Sequence, residues 1–162
     1  MCINIHRIKI KNNMLVLGSR QGFYINTNNN LIRFSHCLIE KGVDINAQDS
    51  YGDTSLHTAL RKRQFHIAKL LIDKGVDLEV KDEFGNAPLN LALKHRQFDI
   101  AKLLIDKGVD LDVKNEFGNT PLHIAVLEGQ LDITKYLIEK GANVNIQNEA
   151  GETPLHIALL GE

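Results

Sequence analysis

Apolar residues recur at helical spacing in three stretches of the chain, and a Lys-Gly pair follows each stretch. The three sets are Phe65, Ile67, Leu70 and Leu71; Phe98, Ile100, Leu103 and Leu104; and Leu131, Ile133, Tyr136 and Leu137. Residues three and four positions apart lie on the same side of an α-helix. Glycine accepts the left-handed conformation that ends many helices, and the adjacent lysine favours the negative end of the helix dipole. The pattern therefore predicts three equivalent amphipathic helices.

A polar turn and a shorter helix are predicted before each of these helices. The turns contain Gly52, Gly85, Gly118 and Gly151, which are 33 residues apart. The residues that follow begin a helix well, because Thr caps a helix start and Pro suits the first helical position. The leucines of this motif, Leu56, Leu89, Leu122 and Leu155, are expected to point into the core, and the short helices to end near Arg63, Arg96 and Gly129. The histidine after each leucine is expected to hydrogen-bond to Thr or to the backbone of the neighbouring unit.

The motif Gly-x-Thr-Pro-Leu-His-x-Ala, two helices and a period of 33 residues together resemble the ankyrin repeat. The resemblance implies an all-α fold, an ankyrin-repeat solenoid of stacked helix-turn-helix units with hairpin-like tips. The predicted organisation is a degenerate N-terminal segment over residues 1–30, partly extended or disordered, and an ankyrin-repeat domain over residues 31–162. This domain divides into a half-repeat 31–48, repeats 49–81, 82–114 and 115–147, and a truncated repeat 148–162. The ending after a first helix indicates a fragment, a truncated reading frame or one segment of a longer array.

The middle repeats depart from the family pattern at a few positions. Ser55 replaces Pro, Ala87 replaces Thr and Asn90 replaces His. Arg63 and Arg96 replace the glycine that the family has between the two helices. We therefore expect repeats 49–81 and 82–114 to be less stable than repeat 115–147. The stretches Arg63–Asn90 and Arg96–His123 differ at only five of 28 positions, which indicates a recent duplication, so a shared surface residue there can reflect copying.

Composition excludes several classes of function. Lys and Arg total 19 and Asp and Glu total 20, so the net charge of −1 gives no field that attracts nucleic acid or an anionic membrane. Cys2 and Cys37 form no disulfide framework and no zinc spacing, which suits a reducing compartment. No apolar run is long enough to span a bilayer. We predict a monomer in the cytoplasm, or in the host-cell cytosol if the source is an intracellular microbe or a virus, with no nucleic-acid or membrane partner.

Histidines raise the question of a metal site, and their spacing argues against one. His57, His123 and His156 are motif residues a whole repeat or more apart, so they lie in different stacked helices. His36, His66 and His95 have no Cys or carboxylate at ligand spacing. No catalytic triad order, phosphate loop or paired-carboxylate device stands outside the repeats. We predict no catalytic residue, no metal and no cofactor.

The resemblance implies that partners bind the repeat tips and the exposed side of the first helices. By motif position, the tip candidates are Tyr51, Asp53, Phe84, Asn86, Phe117 and Asn119, and the helix-face candidates are Arg61, Lys62, Lys94, His95, Leu127 and Glu128. Three tip aromatics form a row of binding anchors, unless each packs against the adjacent tip. The runs Arg61–Arg63 and Lys94–Arg96 favour an acidic or phosphorylated protein partner, although most charge runs are merely solvated.

Several functions remain open on the sequence alone. The leading interpretation is a non-catalytic protein–protein interaction module, a scaffold or adaptor. The alternative is the targeting arm of a longer enzyme or host-directed effector whose catalytic part is absent from this chain. Resemblance also suggests asparagine hydroxylation at Asn46 and Asn145, although a turn-stabilising role is the favoured explanation of both residues.

Overall fold

A computed structural model describes residues 8–11, 14–17 and 27–160. The chain divides into two compact units, Met1–Asp44 and Ile45–Glu162. In the first unit, strand β1 (Ile8–Lys11) pairs antiparallel with strand β2 (Met14–Leu17), so that Ile8 lies opposite Leu17. Part of the degenerate segment predicted for residues 1–30 is therefore extended. Residues 1–7, 12–13 and 18–26 of that segment lie outside the described residues.

Helix α1 (Thr27–Glu40) completes the described part of the first unit. It begins inside the segment 1–30, so the helical part of the predicted half-repeat extends further towards the N-terminus than residue 31. The side chains of His36 and Glu40, one turn apart, form an ion pair of 3.1 Å when the imidazole is charged. Gly42 follows the helix with a φ of +79°, which is the left-handed end that Lys-Gly predicted.

The second unit consists of helix pairs that repeat every 33 residues. The first helices are α2 (Ser55–Arg61), α4 (Pro88–Lys94), α6 (Pro121–Leu127) and α8 (Pro154–Leu160), and the second helices are α3 (Phe65–Asp73), α5 (Phe98–Asp106) and α7 (Leu131–Glu139). First helices stack on first helices, and second helices on second helices. The predicted all-α solenoid is confirmed for this unit. The first helices end about two residues earlier than predicted.

A continuous apolar seam runs along the stacked first helices. Leu56, Leu89 and Leu122 are buried, as the motif predicted. The equivalent alanines Ala59, Ala92 and Ala125 are also buried, and their small side chains let neighbouring helices approach closely. The second helices cover the other side of the seam with buried side chains, namely Ile100, Leu104, Ile133 and Leu137. Each repeat therefore buries its apolar surface against the repeats beside it.

Threonine and histidine connect one repeat to the next. The Thr54 N–H donates to Nδ1 of His57 at 3.2 Å, so the ring proton resides on Nε2. This Nε2–H donates to the carbonyl of Asn86 in the next repeat at 3.2 Å. His123 makes the same link to the carbonyl of Glu152 at 3.0 Å. The predicted hydrogen bonds of the motif histidines are confirmed at both positions, and both form a capping box.

Repeat 82–114 lacks this link. Ala87 provides no cap, and Asn90 is fully buried while neither its amide nitrogen nor its amide oxygen has a partner within the described residues. A buried polar group without a partner destabilises a fold by about 1–3 kcal/mol. Repeat 49–81 keeps its capping box despite Ser55, so the loss of a cap falls on repeat 82–114 alone.

Restoring the motif should stabilise the protein. The double variant Ala87→Thr/Asn90→His supplies the missing cap and a ring N–H for the carbonyl of the following repeat. We expect the free energy of unfolding to rise by about 1–3 kcal/mol, measured by urea denaturation. Asn90→Ala serves as the control, since it removes the unpaired amide without adding the link. An equal gain from both variants would contradict the role given to the histidine.

Leu155 does not point into the core, contrary to expectation. It is 67% exposed, whereas its equivalents Leu56, Leu89 and Leu122 are at most 2% exposed. Those leucines are covered by the second helix of their own repeat and by the repeat that follows, and within residues 45–160 no such helix packs on α8. Only Pro154 and Ile157 of this helix are buried.

Helix α8 should therefore open more readily than α6. We expect the backbone amides of residues 157–160 to exchange hydrogen with solvent much faster than those of residues 124–127, because few buried contacts hold α8. Hydrogen exchange followed by NMR measures both helices in one sample. Equal protection of the two helices would show that exposed Leu155 does not reflect weak packing.

Candidate interaction surfaces

Each repeat tip is a tight turn built on one Asp or Asn. Oδ1 of Asp82 accepts the backbone N–H groups of Phe84 at 2.9 Å and Asn86 at 2.8 Å. Asp49, Asn115 and Asn148 form the same pair of hydrogen bonds in their tips. This arrangement is an Asx-turn, in which the side chain imitates a backbone acceptor. The tips are therefore defined structures, as the combination of Asx and Gly predicted.

Backbone hydrogen bonds also join each tip to the next. Glu83 N donates to Tyr51 O at 2.9 Å, Glu116 N to Phe84 O at 2.9 Å, and Glu149 N to Phe117 O at 3.0 Å. Gly118 makes this approach possible, because a Cβ at that position would lie 2.6 Å from the nitrogen of Glu149. Its φ of +72° also suits glycine. Stacking of the repeats thus fixes the spacing between tips.

Three aromatic side chains project from the tips. Tyr51 is 60% exposed, Phe84 43% and Phe117 61%. Within residues 45–160 no ring contact joins them to one another. Their exposure leaves each ring accessible to a partner, and packing of each ring against the adjacent tip stays the alternative explanation. They form a row of large apolar groups on a fixed backbone, which we call the tip row.

Two predicted tip residues serve the fold instead. Asn86 is only 4% exposed, because its amide nitrogen donates to both oxygens of Asp82 and its backbone carbonyl accepts from His57. The expectation that Asn86 is exposed is wrong. Oδ1 of Asn119, which is half-buried, accepts from Nδ2 of Asn148 at 3.1 Å.

Arg61 and Asp53 belong to an internal charge network, although both were predicted to face a partner. Nε and one terminal nitrogen of Arg61 donate to the two carboxylate oxygens of Asp53 at 2.9 and 3.1 Å. The same terminal nitrogen contacts Asp82 in the next repeat, whose side chain is fully buried. The hydrogen bond to Asp53, against the opposing effect of partial burial, raises the pKa of Arg61. Arg61 therefore neutralises a buried carboxylate and ties two repeats together.

The other helix-face candidates are accessible to different degrees. Lys62, Lys94 and Leu127 are exposed, and Glu128 is half-buried. His95 is also half-buried, and its Nε2 has no hydrogen-bond partner within the described residues. The predicted basic runs Arg61–Arg63 and Lys94–Arg96 therefore keep exposed cations at Lys62, Arg63, Lys94 and Arg96, without Arg61.

Arg63 and Arg96 stand in a conformation that suits glycine. Their φ angles are +53° and +56°, and Gly129 has a φ of +64° at the same place in the next repeat. Such φ angles are uncommon for residues with a Cβ and store backbone strain. Both side chains are exposed and make no ion pair within residues 45–160. The replacement of glycine by arginine at these two positions therefore strains the backbone.

Sequence reasoning missed a second apolar row. Phe65 is 39% exposed, Phe98 40% and Leu131 64%. Their helical spacing placed these residues with the buried side of the second helices. They occupy the first position of α3, α5 and α7, directly after the turn between paired helices, where the seam meets solvent. In the sequence, only their position next to that turn could have indicated that they are exposed.

Across residues 8–11, 14–17 and 27–160, no three His, Cys, Asp or Glu side chains are grouped to hold a metal ion. The same residues contain no helix with the length and apolar character needed to cross a membrane. Asn46 accepts the N–H of Asp77 at 2.8 Å through its side chain, and Asn145 donates its backbone N–H to Asn143 at 2.9 Å.

Comparisons with known proteins agree with this architecture. A family model described as ankyrin repeats (3 copies) matches residues 23–115, and one described as ankyrin repeats (many copies) matches residues 104–158. The chain belongs to the ankyrin repeat family. Ankyrin repeats are generally protein–protein interaction modules and are typically non-catalytic. A search of curated proteins found no match.

Replacing a strained arginine by glycine should stabilise the fold. We expect Arg63→Gly and Arg96→Gly each to raise the free energy of unfolding by about 0.5–1 kcal/mol, because glycine adopts the left-handed conformation without strain. Lys62→Gly is the matched control, because Lys62 has a φ of −87° and glycine there should lower stability by about 0.5–1 kcal/mol. Urea denaturation compares the three. A loss of stability in Arg63→Gly or Arg96→Gly would contradict the claim that arginine strains the backbone at these positions.

His95 should make the protein sensitive to mild acid. Burial lowers its pKa, the charges of Arg61, Lys94 and Arg63 lower it further, and Glu128 acts in the opposite direction. The unfolded chain therefore takes up a proton at about pH 6.5, before the folded protein does, so stability falls as the pH drops below about 6.5.

Thermal denaturation at about pH 7, 6 and 5 measures this effect. We expect His95→Gln to lose less stability than the wild type as the pH falls. Burial also lowers the pKa of His123. Because both proteins contain His123, the stability of His95→Gln should still fall somewhat as the pH drops. His66→Gln, at an exposed histidine of α3, controls for the substitution. If the thermal stability of His95→Gln and of the wild type fell in parallel with pH, His95 would not be the source of the acid sensitivity.

Proposed function

We propose that this protein is a non-catalytic scaffold or adaptor that binds a partner protein through the tip row and the exposed side of the first helices. The observation that carries the proposal is the row of Tyr51, Phe84 and Phe117, each large, apolar and exposed. Aromatic side chains are the residues that most often dominate binding energy at protein interfaces. Nothing in the packing of the second unit requires them to be exposed.

The rigidity of the tips supports binding by the tip row. Each aromatic residue offers its backbone carbonyl to the next tip, so its Cα position is fixed before a partner arrives. A surface that is already ordered loses little conformational entropy on association. The same hydrogen bonds set a regular spacing, which suits a partner that presents several side chains in line.

Charge divides the binding surface in two. Exposed Glu83, Glu116 and Glu149 alternate with the aromatics of the tip row. Lys62 and Lys94 lie at the opposite end of the first helices, which at seven residues are about 10 Å long. We infer that an acidic or phosphorylated segment of the partner meets these lysines and that the tips meet apolar or basic groups.

A cytoplasmic location and a monomeric state complete the proposal. Two cysteines far apart in the sequence suit a reducing compartment. The stacked repeats bury their seam from α2 to α7 within one chain, which supports a monomer. Light scattering coupled to size exclusion measures the oligomeric state directly.

Removing the side chains of the tip row should weaken partner binding strongly. The full chain and the variant Tyr51→Ala/Phe84→Ala/Phe117→Ala are immobilised, and proteins retained only by the wild type are identified and then purified. We expect the triple variant to weaken binding of the purified partner by about 2 kcal/mol or more, which is about thirtyfold. Its thermal stability should stay close to that of the wild type, because the three side chains are exposed.

Ile138→Ala/Val144→Ala is the matched control, because these residues are apolar and exposed but lie outside the tips. The control should bind with wild-type affinity. Equal affinity of the triple variant and the wild type for every purified partner would contradict the proposal.

A further inference from the structure

The turns between paired helices form a second edge of the solenoid, of which the proposed function uses only Lys62 and Lys94. In the first two repeats this edge consists of Lys62, Arg63, Phe65, Lys94, Arg96 and Phe98, all of which are exposed. We call this set the turn edge. Each of its two turns places an arginine two residues before an exposed phenylalanine.

Backbone strain sets the two arginines apart from ordinary surface residues. Gly129 shows which residue suits this turn, and a Cβ there would meet nothing within 4 Å, so space is not the constraint. The cost at Arg63 and Arg96 comes from their positive φ alone. Residues kept in strained conformations cluster at functional sites. The likeness of the two turns can reflect duplication, whereas strain and exposure mark each arginine individually.

The spacing between the turns is fixed. Nε2 of Gln97 donates to the carbonyl of Leu60 at 2.6 Å, and Nε2 of Gln130 donates to the carbonyl of Leu93 at 2.8 Å. Each turn is thereby tied to the first helix of the preceding repeat. Packed helices lie about 8–10 Å apart, so the two arginines and two phenylalanines recur at about that interval.

Charge defines what the turn edge can accept. Lys62, Arg63, Lys94 and Arg96 make no ion pair within the second unit, and Asp99 beside Phe98 pairs with none of them. In the third repeat the equivalent turn carries Leu127, Glu128 and Gly129, so the cationic surface ends there. An occupant must therefore carry negative charge across two repeats and apolar groups between the charges.

We propose that the turn edge binds an acidic peptide segment of a partner protein, in which carboxylates contact the arginines and lysines and apolar side chains contact Phe65 and Phe98. Guanidinium groups bind carboxylates with two parallel hydrogen bonds, and this gives the contact a direction as well as a charge. The site is separate from the tip row, so one can be lost without the other.

The test uses the full chain and a fluorescent peptide of about 12 residues, long enough in extended form to cross both turns. The peptide alternates Glu pairs with single Leu residues. We expect saturable binding that weakens at high ionic strength. Arg63→Gly/Arg96→Gly should weaken it about tenfold or more, while the melting temperature of this variant rises. Loss of binding in a more stable protein cannot result from unfolding.

Matched variants separate the contributions. Lys69→Ala/Lys135→Ala removes the same charge from exposed positions on α3 and α7 and should leave the affinity unchanged. Phe65→Ala/Phe98→Ala should weaken binding of the Glu-Leu peptide, and a peptide with Ser in place of Leu should bind the wild type about tenfold less tightly. Equal binding by Arg63→Gly/Arg96→Gly and the wild type would overturn the proposal, as would no binding at all.

Two further measurements distinguish the turn edge from the tip row and from a membrane-binding surface. The triple alanine variant of the tip row should bind the Glu-Leu peptide as the wild type does, so failure of the tip proposal leaves this result untouched. Vesicles containing phosphatidylserine should not compete for the peptide. Tight binding to such vesicles, lost in Arg63→Gly/Arg96→Gly while the peptide does not bind, would assign the edge to a membrane surface and overturn the proposal.

Discussion

The close approach of one repeat's backbone to the next is the constraint on which the rest of this structure depends. At the tips, the nitrogen of Glu149 comes so near to Gly118 that a Cβ there would lie 2.6 Å away, and the same nitrogen donates to Phe117 O at 3.0 Å. Along the first helices, buried alanines permit the corresponding approach of helix to helix. Because this distance is set by backbone atoms, equivalent residues of successive repeats fall into rows. The two proposed binding surfaces are such rows.

Packing also decides which charged residues remain available. Arg61 is committed to Asp53 and to the buried carboxylate of Asp82, so it stabilises the contact between two repeats. Lys62, the next residue, carries the same charge but faces solvent. The solenoid thus has an acidic and aromatic edge at its tips and a basic and apolar edge at its inter-helix turns. Under the proposed function, these two edges of opposite character would hold two different protein segments on one module.

Periodicity made most of the fold predictable, since the 33-residue step places every helix once one repeat is understood. The roles of His57 and His123 followed from the motif, and so did the glycines at helix ends and tips. Burial of individual surface residues was harder to predict. Asn86 and Arg61 resemble exposed polar residues in the sequence. Only contacts between neighbouring repeats, 29 and 21 residues apart along the chain, show that Asn86 is buried and that Arg61 is paired with Asp82. The predicted burial of Leu155 was wrong for the converse reason, because a following repeat must cover this side chain before it is buried. Phe65 and Phe98 fit the helical spacing yet lie at a helix end, where spacing no longer determines exposure.

Hydrogen exchange at the tips tests the central claim most directly. The amides of Glu83, Glu116 and Glu149 donate across the repeat boundary, so we expect each to exchange far more slowly than in an unstructured peptide of the same sequence. The substitution Gly118→Ala should release the amide of Glu149 and leave that of Glu83 protected. If all three amides exchange at the rate of the unstructured peptide, the tips are not held together, and the rows of side chains have no fixed frame.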